Sequence, residues 1–224
     1  MKSGIVKFAQ MAAIGFALAF TFSCSSDDGN NNNDGTPSGG GGGCPNAATG
    51  SGTLSCGGQT YKTVVIGSQT WMAQNLNYAI GESKCYGDSE ANCTTYGRLY
   101  DWNTARLACP SGWHLPSHAE WSALTDYVGK ETAGTQLKAE SFGGTDNHKF
   151  AAIGGGQGNP NGTFSDIDED GNWWSATENS ASDNSTAVTD DPNARVRNML
   201  YNKETVGKGQ AQKTYLFSVR CLKN

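Results

Sequence analysis

Cys109-Pro110-Ser111-Gly112-Trp113-His114-Leu115-Pro116-Ser117, followed by Glu120-Trp121, is the stretch that decides the fold. Gly112 and Pro116 fix a tight approach to a helix that starts after Ser117. Ser117 and Glu120 stand three residues apart, the spacing of a capping box. Trp121, Leu124, Thr125 and Val128 then fall at i, i+3, i+4 and i+7, and Gly129 ends the run. Trp113, Leu115 and Trp121 wedge between this helix and a sheet. The stretch therefore reads as core structure, with no chemistry attached to it.

Outward from there, residues 99–108 predict a first helix, with Tyr100, Thr104, Leu107 and Ala108 on one face and Pro110 beyond its end. Residues 61–66 and 69–73 alternate about Gly67-Ser68, a two-residue turn that suits a hairpin. Glycine, asparagine and aspartate dominate residues 143–184, so that region is expected to be loop with short strands. Residues 195–201 and 213–222 predict two closing strands. In the last of these Tyr215, Phe217, Val219 and Cys221 alternate onto one face.

The amino terminus carries different information. Lys2 and Lys7 precede an apolar run over residues 11–22, too short to span a bilayer, and then come Ser23 and Cys24. Residues 1–23 are expected to be a signal peptide and Cys24 the site of lipid attachment, although Thr21 stands where leucine is usual. The expected partner is therefore the membrane, reached through that anchor. Residues 24–43 contain no large apolar side chain after the cysteine and read as a tether; residues 44–224 read as one domain. Without the first 23 residues, 14 basic side chains face 21 acidic ones, a balance of −7. That disfavours nucleic acid and anionic lipid head groups as partners, since both need a basic patch. The chain is rich in tryptophan and tyrosine but poor in aliphatic residues, which favours a loop-rich body stapled by disulfides.

Setting Cys24 aside leaves six cysteines and fifteen possible pairings. The local pairs Cys44–Cys56 and Cys85–Cys93 would close short loops. No two are CxxC-spaced and none has a histidine at ligand spacing, so staples are favoured over a metal site or a reactive thiol pair.

Four stretches together resemble the Fibrobacter succinogenes major paralogous domain family. They are residues 63–72 with Gln74-Asn75-Leu76; Tyr96-Gly97-Arg98-Leu99-Tyr100-Asp101-Trp102; the opening stretch; and Trp173-Trp174-Ser175-Ala176-Thr177-Glu178 with Ser218-Val219-Arg220-Cys221. The resemblance implies an exported, surface-displayed outer-membrane lipoprotein, and the Ser25-Ser26-Asp27-Asp28 start resembles a surface-export signal. More distantly it implies an α+β fold of the C-type-lectin-like, formylglycine-generating-enzyme-like kind. Such a fold has two helices beside a short, twisted, mostly antiparallel sheet with long irregular loops, and it implies a Cys109–Cys221 pair.

The sequence favours binding over catalysis. The oxidase of that distant branch needs two reactive thiols, and no stretch carries them at the catalytic position. No GxSxG, HExxH or P-loop occurs, and His114, His118 and His148 are scattered. Two features bear on binding. In a strand, the Trp173 and Trp174 rings point to opposite faces, so one is offered as a sugar platform beside Asn172 and Glu178; the alternative buries both rings. Asp166, Asp168 and Asp170 copy the start of a calcium loop, making calcium the candidate cofactor. The twelfth loop position, however, falls on Thr177, which favours a solvated acidic turn. The expectation is a non-catalytic adhesion or binding module for a glycan or another cell-envelope component. The alternatives are an enzyme of the formylglycine-generating branch and a purely structural envelope protein.

Overall fold

Asp101 begins a helix where periodicity alone places residues already inside one. Its Oδ1 accepts from the Thr104 amide (2.9 Å) and its Oδ2 from the Thr104 hydroxyl (2.8 Å). Leu99 and Tyr100 are thereby left outside, free to pair as a strand. The computed structural model describes Cys44 and residues 48–224; Cys24, the 1–23 signal and the 24–43 tether lie outside the described residues.

The elements run β1 (Ala48–Gly50), β2 (Thr53–Cys56), β3 (Gln59–Ile66), β4 (Gln69–Met72), β5 (Ser83–Lys84), α1 (Glu90–Tyr96), β6 (Leu99–Tyr100), α2 (Trp102–Ala108), β7 (Trp113–His114), α3 (His118–Val128) and α4 (Ala133–Leu137). Then follow β8 (Gly155–Gly158), β9 (Phe164–Ile167), β10 (Asp170–Glu178), β11 (Asn193–Leu200), β12 (Gly207–Gln212), β13 (Phe217–Ser218) and β14 (Leu222–Lys223). The class is mixed α+β, with two curled sheets. One has strand order β1-β2-β3-β4-β14-β7 and the other β12-β11-β10-β13-β6-β5, with β8 joining β10 and β9. Pairing is antiparallel except for β10 with β13 and with β8.

The capping box of α3 forms as its spacing requires: Ser117 Oγ accepts from the Glu120 amide, and the Glu120 carboxylate accepts from the Ser117 amide at 2.7 Å. The β3–β4 hairpin turns at Gly67, whose φ of 61° favours glycine and where a Cβ would press on the Tyr127 ring. Two expectations change. The described residues hold four helices, because the Cys85–Cys93 loop winds α1 and residues 133–137 add α4. The closing strand over 213–222 is broken. A turn at Lys213–Tyr215 sends β13 into one sheet, and residues 219–221 carry the chain across to β14 in the other.

That crossing point is fastened. Cys221 pairs with Cys109 at the end of α2, Cα to Cα 5.8 Å. Cys44–Cys56 (5.4 Å) and Cys85–Cys93 (4.9 Å) are the other two cystines. Arg220, buried between β13 and β14, donates from Nε to Asn75 Oδ1 (2.9 Å), from Nη2 to the Ala151 carbonyl (2.7 Å) and from Nη1 to the Phe150 carbonyl. Its guanidinium lies 4.3 Å from the Phe150 ring centroid.

The core has two halves, one on each side of β10. Trp174 packs with Tyr100, Trp102 and Phe217, whereas Trp173 joins Trp71, Trp121 and Phe150. Adjacent residues of one strand face opposite ways, and here both faces are covered.

Candidate functional site

This burial removes the expected sugar platform. Trp173 and Trp174 are both fully buried, with their indole N–H groups donated to Asn75 Oδ1 (2.9 Å) and to the Tyr100 carbonyl (2.7 Å). Period-2 alternation does turn the rings apart, but a sheet packed on both faces leaves neither ring for a ligand. Glu178 is equally buried. Its carboxylate accepts from the Thr189 amide (2.9 Å), the Thr189 hydroxyl and the Lys213 ammonium, and so anchors the loop after β10. Burial pushes this carboxyl up, but the Lys213 ammonium and the Thr189 donors outweigh it and hold it below its ordinary value. Of the four residues expected at the sugar site, Asn172 alone lines a concavity, described below.

The three aspartates do not assemble as a calcium loop. Asp166 and Asp168 occupy the turn between β9 and β10 with φ of 67° and 62°. Asp166 accepts from Ser165 Oγ (2.9 Å) and Asp168 from the Tyr96 hydroxyl (2.7 Å), while Asp170 already belongs to β10. A tight hairpin directs alternate side chains apart, where a twelve-residue loop would gather them. Among the described residues one set of three His, Cys, Asp or Glu side chains comes close enough for a shared ion: Cys85, Glu90 and Cys93. Its sulfurs are joined in a cystine and Glu90 pairs with Arg98 (3.1 Å), so its donors are already committed.

The histidines are placed by the fold. His114 bridges Glu120 (Nε2 to Oε1, 2.9 Å) and Asn224 (Nδ1 to Oδ1, 2.6 Å), and Glu120 raises its pKa. His118 is buried, and burial together with Arg197 and Arg195 pushes it down to about 4.

The larger concavity is a cleft of about 540 Å³ at the mouth of β5, the first turn of α2, the β8–β9 turn and residues 213–216. Phe164 and Leu216 give it an apolar floor. Around it stand Glu82, Lys84, Asn103 and Thr214, all exposed. Among the described residues, none of these four side chains has a hydrogen bond or ion pair. Lys213 also lines the cleft, but its charge is committed to Glu178 and to the Trp102 ring, 4.4 Å from the centroid. The β8–β9 turn is locked internally: Asn159 Nδ2 donates to Thr163 Oγ1 (3.0 Å) and Asn161 Oδ1 accepts from the Thr163 amide (3.0 Å). The polar turn Asn159-Pro160-Asn161-Gly162 is the sequence signal that marked this site. Sequence reasoning passed over it as loop.

A second concavity, a groove of about 440 Å³, is lined by Asn172, Asn198, Gln157, Gln210, Tyr215 and Phe217 among others. The Gly158–Leu216 bridge separates the two, since residues 157, 215 and 217 line the groove while 158, 214 and 216 line the cleft.

Searches of curated proteins and of solved structures returned no match. The Fibrobacter succinogenes major domain matches residues 64–223, from the β3–β4 hairpin through β14. With its motifs placed in the sheets, helices and cystine described above, the chain belongs to the Fibrobacter succinogenes major domain family.

Proposed function

We propose that this domain is a non-catalytic binding module, held at the outer-membrane surface by a lipid on Cys24, and that it takes a glycan in the 540 Å³ cleft. The observation that carries this reading is the cleft's construction: an apolar floor of Phe164 and Leu216 under a rim whose carboxylate, ammonium, amide and hydroxyl are uncommitted. A sugar ring presents an apolar face and a girdle of hydroxyls, and such a site answers both. We read the fold as C-type-lectin-like, in the formylglycine-generating branch. What supports this is the pairing of the β3–β4 hairpin with the carboxy-terminal β14, and the cystine that ties α2 to the sheet crossover. Fold analogy is a weak warrant for function, so the cleft must carry the claim. Against the oxidase alternative, cysteines 44, 56, 85, 93, 109 and 221 are all paired, which leaves no thiol of the domain to react.

The test is a glycan array probed with the full mature chain, beside Thr214→Trp, which fills the cleft from an exposed turn, and Asn103→Ala. Retention on a defined subset of glycans, lost with Thr214→Trp and weakened with Asn103→Ala, is the expected result. A blank array, or equal retention by all three proteins, refutes the reading and leaves a purely structural envelope protein.

A further inference from the structure

On the face of β10, β11 and β12 that holds Asn172, register sets Asn172 beside Asn198, Asn198 beside Gly207, and Val196 beside Gly209. Glycine at 207 and 209 removes two side chains from this face, which opens the groove. A Cβ on Gly207 would collide with Asn198 Oδ1, so the carboxamide lies in the space that glycine leaves. Tyr215 and Phe217, stacked at 28° with centroids 5.8 Å apart, form one wall. Gln157 adds a third carboxamide, its Nε2 donated to Asn159 Oδ1 (3.2 Å) and its oxygen left over; Lys208 and Gln210 of β12 border the groove, but their register with Arg197 and Arg195 turns their side chains to the opposite face.

Two polar atoms here lack partners. Asn172 is 5% exposed, yet its Nδ2 has no well-aligned acceptor, and Asp170 Oδ1, two residues earlier on the same face of β10, has no well-aligned donor; Asn172 and Asn198 stand near enough to lower the Asp170 pKa without closing either gap. A buried donor left unpaired costs stability; His118 Nδ1, Trp121 Nε1 and Arg197 Nε and Nη1 are unpaired in the interior too, but Asn172 is the one of these residues that lines the groove. A hydroxyl in the groove can accept from Asn172, and Asn198 can both donate and accept. A face lined by carboxamides favours a neutral partner.

We propose that this groove is a second ligand site, for a neutral polyhydroxylated residue such as one sugar of a glycan, held by Asn172, Asn198 and Gln157 against the Tyr215–Phe217 wall. It shares its ligand class with the binding-module reading but stands on its own residues, across the Gly158–Leu216 bridge from the cleft.

The test uses the full mature chain with the methyl glycosides of glucose, galactose, mannose and xylose, each titrated by saturation-transfer NMR. Binding by at least one probe should weaken about tenfold in Asn172→Leu, the loss of one well-made hydrogen bond. It should vanish in Ala211→Trp, which fills the groove from the same face, while remaining unchanged in Gln210→Ala, whose side chain turns away, and in the cleft variant Thr214→Trp. Thermal melts confirm that each variant is folded. Failure of every probe to bind, or binding that survives both Asn172→Leu and Ala211→Trp, overturns the proposal. Binding lost only in Thr214→Trp also overturns it, and assigns that sugar to the cleft instead.

Discussion

Replacing Asn75 by leucine should cost this domain about 4 kcal/mol. The figure follows from what one side chain holds. Asn75 is 4% exposed; its Nδ2 donates to the Tyr96 carbonyl (2.8 Å) and Ser218 Oγ (3.3 Å), and its Oδ1 accepts from Trp173 Nε1 and Arg220 Nε, both at 2.9 Å. Leucine is close in volume, so the change leaves little cavity. It strands an indole donor and a guanidinium donor that water cannot reach, at about 1–3 kcal/mol for the neutral group and more for the charged one. Arg220 is already strained electrostatically, since burial pushes its pKa down to about 9. Asn75→Asp separates the contributions. It keeps the oxygen that serves Trp173 and adds a charge facing Arg220, but loses the donors to Tyr96 and Ser218, so it should cost about half as much as leucine. Urea unfolding under non-reducing conditions, followed by tryptophan fluorescence, gives both values at constant m. A loss below about 1 kcal/mol for Asn75→Leu, or an aspartate variant worse than the leucine one, would refute the reasoning.

Other perturbations probe the staples and the titrating groups. Cys109 and Cys221 are 112 residues apart and Cys85 and Cys93 only 8, so in the chain-entropy model the paired Cys109→Ala/Cys221→Ala variant loses roughly 5 kcal/mol and Cys85→Ala/Cys93→Ala roughly 2.5; calorimetry of the two double variants should reproduce that order. His118, held down to about 4 by burial and then by Arg197 and Arg195, takes up its proton more readily when unfolded. Stability should therefore fall by up to about 3 kcal/mol as pH drops from 6.5 to 4, and His118→Leu should flatten that part of the urea-midpoint profile. Asp170 has the opposite sign: burial raises it to about 6, against the lowering pull of Asn172 and Asn198, so the fold favours its protonated form. That contribution is full below pH 3.8 and lost as pH rises through 6. Asp170→Asn should accordingly raise the thermal midpoint at pH 8 and leave it unchanged near pH 3.5.

Local chemistry made much of the fold legible. Ser117 with Glu120 and the 121–128 periodicity specify α3, and Gly67-Ser68 specifies the hairpin, because each is a short-range signal that tertiary packing then reinforces. The misplacements arose where long-range contacts override local pattern. Leu99 and Tyr100 fit a helical face, yet the Asp101 cap and pairing with β13 hold them extended. Residues 213–222 alternate like one strand, but a strand cannot belong to two sheets without breaking, and Arg220 occupies the break. The sugar platform failed for a related reason. Alternation in β10 states that Trp173 and Trp174 face apart, while only topology states what covers each face.

The residues that carry the family resemblance are largely consumed by the interior. Asn75, Trp173 and Arg220 join two of the four stretches in one buried hydrogen-bond cluster, and the Tyr96 carbonyl, which accepts from Asn75, adds a third. Tyr100 receives the Trp174 indole on its carbonyl, and Cys109 and Cys221 fasten the sheet crossover. Side chains so committed have no donors or faces left for a ligand. Apart from Asp101, whose carboxylate caps α2, the cleft and groove draw on residues outside those stretches: Glu82, Lys84, Asn103, Thr214 and Phe164 for one, Asn172, Asn198, Gln157 and Tyr215 for the other. Residues 213–217 distribute their side chains between both concavities by strand-like alternation about the Gly158–Leu216 bridge. At exposed Thr214 a substitution reshapes the cleft alone, whereas Phe217 packs on Trp174 and Lys213 pairs with buried Glu178, so those two positions also serve the core. The turns around that bridge therefore set the lining of both concavities, while the buried motif cluster sets the frame.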